Sequence, residues 1–266
     1  MNDFFNQTEL GKTGYKVGKI GVSSSFGAKA DVFEAAFEKG FNYFTYGTFV
    51  KGPSKEMAKA VKNLTKSGNR EKLVVSTYAY MHNSFFNKKI FNKRLKSLNL
   101  EYIDVILLGY QNSLPWQGLL EGAFKLKEVG LVKVIGISSH NRKVIGKLIQ
   151  KKVLDIYHLR YNPVHRGAEE DIFPYIDKND KPGIVSFTAT RWKQLLSPNK
   201  MPGDEKPLSA GDCYRFVLSN SNIDVCMMGV KNRQQFEENV KELEKGTLSE
   251  DEMKRIKGIG DYIYGK

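Results

Sequence analysis

Eight short runs rich in β-branched and aromatic residues alternate with longer segments of helical spacing, and this alternation limits the possible folds more than any other feature of the chain. Runs such as 72–80 and 132–139 are apolar on both faces, which is typical of parallel strands covered by helices. The pattern predicts an α/β fold in which 1–266 form a single (β/α)8 TIM barrel domain. The predicted strands are 19–26, 41–47, 72–80, 104–110, 132–139, 155–162, 183–189 and 224–230.

Segments near both ends of the chain add to this barrel. A turn at 12–14 between short runs predicts an N-terminal β-hairpin that closes the bottom of the barrel. Ser249, with Glu252 three residues later, forms a capping-box pattern that predicts a C-terminal helical tail. The segment 197–212 reads as a long loop after the seventh strand, placed where it can cover a ligand. The helices predicted between the strands are 30–40, 54–66, 87–98, 119–130, 142–152, 169–176, 210–220 and 233–246.

The formal net charge of +13 raises the question of nucleic-acid binding. The lysines are spread over all the helical segments rather than gathered in one arm or stripe, so a nucleic-acid partner is unlikely. A lysine-rich proteome or a phosphate-bearing cofactor explains the charge equally well. The chain contains no apolar run of the ~20 residues that a membrane helix needs, and its start lacks the pattern of a signal peptide. We therefore expect a cytoplasmic protein that does not enter a membrane.

Known site motifs exclude several classes of function. Cys213 and Cys226 are the only cysteines, so a disulfide framework and a cysteine-rich metal site are excluded, and both thiols are expected to be buried. No strand is followed by GxGxxG, and no Walker loop, HExxH or GxSxG occurs. The motifs therefore give no support to a Rossmann dinucleotide site, and no metal site is predicted.

Five segments carry a resemblance to a known family. They are LGKTGYKVGKIGV, YIDVILLG, GLVKVIGISSHNR, RYNP and GVKNRQQFEEN, at 10–22, 102–109, 130–142, 160–163 and 229–239. Together they resemble the aldo-keto reductases, in order and over nearly the whole chain. The resemblance implies a (β/α)8 barrel that binds NAD(P)H and reduces carbonyl compounds.

The resemblance also implies four catalytic positions, which hold aspartate, tyrosine, lysine and histidine in the family. Here the corresponding residues are Thr45, Val50, Tyr78 and Gly109. Val50 has no proton to donate, and Gly109 has no side chain to orient a carbonyl oxygen. Because acid-base catalysis contributes ~10²–10⁴-fold to rates, the family's usual mechanism is not expected to operate unchanged.

The resemblance places a nicotinamide cofactor at the C-terminal ends of the strands. It implies that Ser138, Ser139 and His158 lie near the nicotinamide amide and that Phe187 stacks on its ring. The remaining cofactor contacts that it implies are Thr188 and Arg191 at the diphosphate, Gly229 after the eighth strand, and Glu238 and Asn239 at the adenine. Lys231 or Arg233, near the N-terminus of the last barrel helix, would face a 2′-phosphate, so NADP is favoured over NAD.

Two interpretations of Tyr78 remain open from the sequence. Its hydroxyl is a substitute proton donor, or its ring fills the volume left at Gly109. The first implies an oxidoreductase with an atypical site, which transfers hydride to a carbonyl or another unsaturated small molecule. The second implies a catalytically inactive sensor or scaffold that binds the nicotinamide cofactor. Strand alternation predicts that Tyr43 and Thr45 face the barrel interior and that Tyr46 faces the helices.

Other side chains near the predicted mouth have a functional and a structural interpretation. Tyr110 and Trp116 are candidates to line the substrate pocket, although aromatic residues at strand ends more often pack. The planar donor group of Arg191 suits a diphosphate or a substrate carboxylate, and its structural alternative is a salt bridge to 203–205. His140 reads as a surface or capping group. His165 and Arg166 are candidates for an anion contact or for a local ion pair with Glu169 or Glu170, and the ion pair is favoured.

Overall fold

The computed structural model describes residues 3–47, 54–79, 88–109 and 113–265 and contains a closed barrel of eight parallel strands. Each strand is hydrogen-bonded to the next in the chain, and the last pairs with the first. The (β/α)8 prediction is confirmed. The barrel strands are β3 (Ile20–Ser23), β4 (Tyr43–Tyr46), β5 (Val74–Ala79), β6 (Ile103–Leu108), β7 (Val132–Ser139), β8 (Ile156–Arg160), β9 (Gly183–Phe187) and β10 (Val225–Met228).

Helices follow the barrel strands in the order that the sequence pattern predicts. The connection after β8 contains only a single helical turn, followed by 3-10 turns, because Pro174 interrupts the helical hydrogen bonds there. The helices are α1 (Ala30–Glu38), α2 (Lys55–Lys66), α3 (Lys88–Leu98), α4 (Gln117–Glu128), α5 (Arg142–Gln150), α6 (Ala168–Asp171), α7 (Ala210–Leu218), α8 (Arg233–Leu243) and α9 (Glu250–Tyr264).

An antiparallel hairpin closes the bottom of the barrel, as predicted. Its strands are β1 (Gln7–Glu9) and β2 (Lys16–Gly18). Gly14 makes the reversal possible because its φ of 79° lies in the left-handed region that residues with a Cβ avoid. Leu10 is fully buried and belongs to the interior cluster of the barrel. The hairpin therefore acts as a plug at the N-terminal ends of the strands.

The inner and outer layers follow the alternation of side chains along each strand. Tyr43 belongs to the apolar cluster inside the barrel, and Tyr46 belongs to the larger cluster between the strands and the helices. Both orientations agree with the prediction. The other interior residues are Leu10, Val17, Val74, Val105, Leu107, Val134, Ile156, Val185 and Val225.

The same alternation defines the upper end of the barrel. Continuing each interior series in steps of two residues toward the strand's C-terminus gives a layer of mostly polar side chains. This mouth layer consists of Thr45, Tyr78, Gly109, Ser138, Arg160, Phe187 and Met227. It is the place where a parallel barrel positions its functional groups.

The C-terminal helix is anchored to the barrel by a buried arginine. Ser249 and Glu252 form the predicted capping box at the start of α9. The guanidinium of Arg215, on α7, lies 2.9 Å from a carboxylate oxygen of Glu252. Cys213 and Cys226 are both buried free thiols, as expected. The capping residues thus fix α9 against the outside of the barrel.

Candidate active site

A network of buried hydroxyl and imidazole groups lies directly below the mouth layer. The hydroxyl of Tyr43 lies 2.8 Å from Nε2 of His158 across the barrel interior. The hydroxyls of Thr45 and Ser76, on adjacent strands, are 2.9 Å apart. All four side chains point inward from their strands. The Thr45–Ser76 contact follows from the register of β4 with β5, whereas the Tyr43–His158 contact joins two strands that are not neighbours in the sheet.

His158 is uncharged in this environment. Its side chain is 1% exposed, and burial lowers the pKa of the imidazole to about 3. Burial also raises the pKa of the Tyr43 phenol above its usual value, with an opposing hydrogen bond from Ser76. Both groups are therefore neutral near pH 7, and the contact between them is a hydrogen bond rather than an ion pair.

Tyr78 adjoins this network from β5. Its ring meets the His158 ring edge to face, with centroids 6.5 Å apart. Burial raises the pKa of the Tyr78 phenol, while a hydrogen bond with Ser138 opposes that shift. The phenol consequently keeps its proton near neutral pH, which is the protonation state that a general acid requires.

The four positions that the family resemblance marks as catalytic have different surroundings. Thr45 is buried, and its hydroxyl also lies 3.9 Å from the sulfur of Met227. The backbone N–H of Gly109 donates to the carbonyl of Ala79 at 2.9 Å. Tyr78 lies between these two strand ends, on β5. Val50 lies outside the described residues.

The structure brings together four of the residues predicted to hold the nicotinamide. Ser138 and Ser139 end β7 and are buried, and Ser138 pairs in register with His158. The hydroxyl of Ser139 accepts a hydrogen bond from the N–H of Asn141 at 2.9 Å, which supports the turn into α5. Phe187 ends β9 in the same mouth layer. Ser138, His158 and Phe187 thus stand on three successive strands.

His140 contacts the aromatic ring that the prediction assigns to cofactor stacking. The rings of His140 and Phe187 meet edge to face with centroids 5.1 Å apart. Burial, and secondarily the charge of Arg160, lowers the pKa of His140. His140 is exposed, as the sequence indicated, and its ring also borders Phe187.

The loop after β9 has an unusual backbone. Thr188, Arg191, Trp192 and Lys193 all have positive φ, between 51° and 67°. Each such non-glycine residue costs about 1 kcal/mol or more, and such strain is concentrated at functional sites. Asn162 holds the loop by donating from its side-chain amide to the carbonyl of Thr188 at 2.8 Å. This turn brings the predicted diphosphate ligands next to Phe187.

Arg191 does not form the alternative salt bridge to 203–205. Within that segment Glu205 pairs instead with Arg255 of α9, with a nitrogen-to-oxygen distance of 2.8 Å. The Nε of Arg191 is buried and has no hydrogen-bond partner. The salt-bridge interpretation of Arg191 is therefore wrong, because α9 supplies the acidic segment with a different cation.

The expected ion pair of Arg166 with the acidic residues of α6 is also wrong. Arg166 pairs with Asp261 of α9 at 2.5 Å, and Glu169 accepts a hydrogen bond from the hydroxyl of Tyr161 at 2.6 Å. Sequence proximity favoured the local partner. The packing of α9 against this loop brings a more distant carboxylate to Arg166.

The residues predicted to bind the adenine end lie apart from the buried network. Lys231 and Arg233 are exposed at the N-terminus of α8, where Arg233 pairs with Glu237 at 2.7 Å. Glu238 is exposed and accepts a hydrogen bond from Gln234.

The last two adenine-side candidates are more enclosed. Asn239 is partly buried on α8. The ring of Phe26 lies against Gly229 so closely that a Cβ there would be 2.3 Å from a ring carbon. Only a glycine fits under Phe26 at this position.

Two tryptophans lie at exposed positions of the upper loops. Trp116, a predicted substrate-pocket residue, is 46% exposed, and its ring covers Gly118 at the start of α4. Trp192, in the turn after β9, is 61% exposed. Tyr110, the other predicted pocket residue, lies outside the described residues.

Arg160 is the mouth residue to which the sequence pattern gave no role. It is the last residue of β8 and pairs in register with Phe187. It follows His158 by two positions, so it points to the same side of the strand. This two-residue spacing from His158 is the sequence feature from which Arg160 could have been predicted to lie at the barrel mouth.

In residues 3–47, 54–79, 88–109 and 113–265, no group of three or more His, Cys, Asp or Glu side chains is arranged to hold a metal ion. No helix of the same ranges is long and apolar enough to span a membrane.

Comparisons with known proteins were made for the whole chain. No curated protein sequence matches it significantly. Solved structures match it well in shape. The aldo-keto reductase AKR11C1 from Bacillus halodurans aligns in both its apo and its holo form with a TM-score of 0.75 and 18% identity. Each alignment covers 96% of this chain; it covers 95% of the apo chain and 96% of the holo chain. The thermostable aldo-keto reductase Tm1743, solved with the inhibitor epalrestat, aligns with a TM-score of 0.73 and 18% identity, over 95% of this chain and 99% of that chain.

Sequence comparison gives the family directly. The sequence profile of the Aldo/keto reductase family matches residues 13–202, which is well over half of the chain. The match begins in the hairpin and ends in the loop after β9, so it includes seven of the eight barrel strands. The chain belongs to the aldo/keto reductase family.

Proposed function

We propose that the chain is an NAD(P)(H)-binding oxidoreductase that transfers hydride to a carbonyl or another unsaturated small molecule. The observation that carries the proposal is the arrangement of Ser138, His158 and Phe187 on three successive strands at the barrel mouth. Membership of the aldo/keto reductase family supports this class of reaction.

The residues present fit a nicotinamide dinucleotide. Ser138 and His158 offer hydrogen-bonding groups beside the ring of Phe187, and Phe187 is only partly buried. Arg191, in the turn after β9, suits an oxyanion, either of the cofactor diphosphate or of a substrate, because guanidinium groups bind both well. When bound, the cofactor supplies the hydride.

Tyr78 is our candidate for the proton donor. Its phenol is held protonated by burial, and its hydrogen bond with Ser138 places the hydroxyl among the residues of the cofactor site. His158, neutral and hydrogen-bonded to Tyr43, fixes the aromatic ring against which Tyr78 packs. In this scheme Tyr78 gives its proton to the product oxygen, and His158 positions the ring.

The preference for NADP over NAD is part of the proposal. Lys231 and Arg233 flank the N-terminus of α8, where the helix dipole favours an anion. Replacing Lys231 with Gln is expected to weaken NADPH binding about tenfold and to leave NADH binding unchanged, as expected for a charge-assisted contact to phosphate. Lys241→Gln, at the other end of the same helix, is the matched control.

A fluorescence titration with NADPH tests the core of the proposal. Binding at micromolar concentration supports it, and the absence of binding at millimolar cofactor refutes it. Oxidation of NADPH should then be measured across aldehydes, quinones and enones. Tyr78→Phe is expected to lower turnover about 10²–10⁴-fold with little change in cofactor affinity. Unchanged turnover in Tyr78→Phe would dismiss Tyr78 as the donor.

A second candidate function is a cofactor-binding sensor or scaffold without turnover. The surroundings of Thr45 favour it, because its hydroxyl bonds to Ser76 and approaches the thioether of Met227 rather than an acid or base. Tight NADPH binding with no oxidation on any substrate of the panel would select this function over the first.

A further inference from the structure

Basic side chains lie at the mouth beside Phe187. We use the name cation cluster for Arg160, Arg191 and His165, which are flanked by Arg142 and His140; the two arginines carry its charge, and the imidazole of His165 is neutral near pH 7. The side chain of Asn162 links two of the segments, since it donates to the carbonyl of Thr188 at 2.8 Å and accepts from the N–H of His165 at 2.9 Å. Burial and the charges of Arg191 and Arg142 lower the pKa of Arg160. Burial and the charges of Arg160, Arg191, Arg142 and His140 lower the pKa of His165 to about 4.

The backbone places the members of the cluster at the same end of the barrel. Arg160 ends β8 on its inward side, paired with Phe187. Arg191 is presented by the strained turn after β9. His165 is fixed by Asn162, whose side-chain oxygen accepts from the His165 N–H at 2.9 Å. Three separate segments therefore contribute at this end of the barrel, and one of them, the turn after β9, has a strained backbone.

The acidic residues nearby are already engaged with other groups. Asp171 pairs with Arg142 at 2.6 Å, and Asp261 pairs with Arg166. Neither Arg160 nor Arg191 has a carboxylate partner in the described part of the chain. The segments outside it, at 1–2, 48–53, 80–87, 110–112 and 266, contain no Asp or Glu. The cluster thus lacks an Asp or Glu counter-ion.

Two polar atoms of the cluster are buried without a partner. These are Nε of Arg191 and Nε2 of His165. Buried polar atoms are almost always hydrogen-bonded, so each exception requires an explanation. Two arginines that have no Asp or Glu partner among the described residues, together with these two unpaired nitrogen atoms, form the arrangement expected of a site completed by an anion.

We propose that the cation cluster is an oxyanion-binding site and that it holds the carboxylate or phosphate group of a small-molecule substrate beside Phe187. The proposal extends the oxidoreductase function given above, because it assigns an acidic substrate class to the same mouth. The planar guanidinium of Arg160 offers two parallel N–H donors to such a group. A cofactor phosphate has the same chemistry and is the other source of an oxyanion.

Titration with inorganic phosphate at constant ionic strength tests the site itself. Isothermal calorimetry should detect phosphate binding to the wild type. Arg160→Gln is expected to weaken that binding at least about tenfold, since a charge-assisted contact is lost. Arg255→Gln is the matched control, because it removes the same charge from an exposed arginine that pairs with Glu205. An absence of phosphate binding to the wild type, or equal loss in both variants, overturns the proposal.

Thermal unfolding without added anion gives an independent readout. Because Arg160 has no carboxylate partner among the described residues, Arg160→Gln is expected to melt at the same temperature as the wild type or higher. A lower melting temperature for both Arg160→Gln and Arg191→Gln would show that the arginines serve the fold and would overturn the site.

A third arm separates the two sources of the oxyanion. NADPH is titrated with and without saturating phosphate. Unchanged NADPH affinity supports the assignment to a substrate's acidic group. Competition assigns the cluster to the cofactor's phosphates and overturns the substrate assignment. If NADPH does not bind at all, the proposed oxidoreductase function fails, while phosphate binding still reports on the cluster alone.

Discussion

Acidification should destabilise the fold through His158 by an amount that the structure defines. Burial holds the folded pKa at about 3, against 6.5 for an unperturbed imidazole. The unfolded chain therefore binds more protons than the folded chain in this window, and the free energy of unfolding falls as pH falls from 6.5 toward 3. The slope approaches about 1.4 kcal/mol per pH unit.

The expected difference between pH 7 and pH 4.5 is about 2–3 kcal/mol. Urea unfolding, followed by circular dichroism at both pH values, measures it. His158→Gln provides the reference, since glutamine does not titrate and keeps a hydrogen-bonding group toward Tyr43. The quantity of interest is the wild-type loss minus the variant loss.

Other titrating groups cancel in that difference because both proteins contain them. Burial raises the pKa of Asp104 and of Asp224 and gives these two groups the opposite pH dependence. The pKa of His165 is lowered, as that of His158 is. Losses in wild type and His158→Gln that agree within about 0.5 kcal/mol would refute the assignment of a buried neutral imidazole.

Three further predictions concern the fold. Leu10→Ala should lower the free energy of unfolding by about 2–5 kcal/mol in urea titrations, because it opens a cavity under the barrel plug. Asp104→Asn should lower the free energy of unfolding by about 3 kcal/mol and change the salt dependence of that free energy. The reason is that Arg70, which lies 2.9 Å from the Asp104 carboxylate, loses its counter-ion. Gly229→Ala should lower the melting temperature through the clash with Phe26, and unchanged melting would show that this ring moves freely.

The barrel was predictable from the sequence because its signals are local. Alternating apolar runs and helical spacing report secondary structure within each segment, and eight repeats of the pair leave few topologies. The capping box at Ser249 and the turn at Gly14 are likewise short-range features, and both occur where predicted. Strand parity alone placed Tyr43 and Tyr46 on the correct faces.

The partners of the charged side chains were not predictable in the same way. Arg166 pairs with Asp261 and Arg255 pairs with Glu205, contacts that depend on where α9 packs. Local charge patterns favour neighbours in sequence, whereas Coulomb attraction depends on distance in space. Sequence separation therefore carried no information about these pairs.

The sequence by itself determined the barrel, its hairpin and the inward column of residues on each strand, since periodicity is a property of single segments. Only the tertiary structure decided which of those residues meet. It brought Tyr43 to His158 across the barrel. It placed Arg160, Arg191 and His165 at the same end of the barrel, with the neighbouring Asp171 and Asp261 paired to other arginines. Closure of the sheet brings distant strand ends together, and no local pattern encodes that distance.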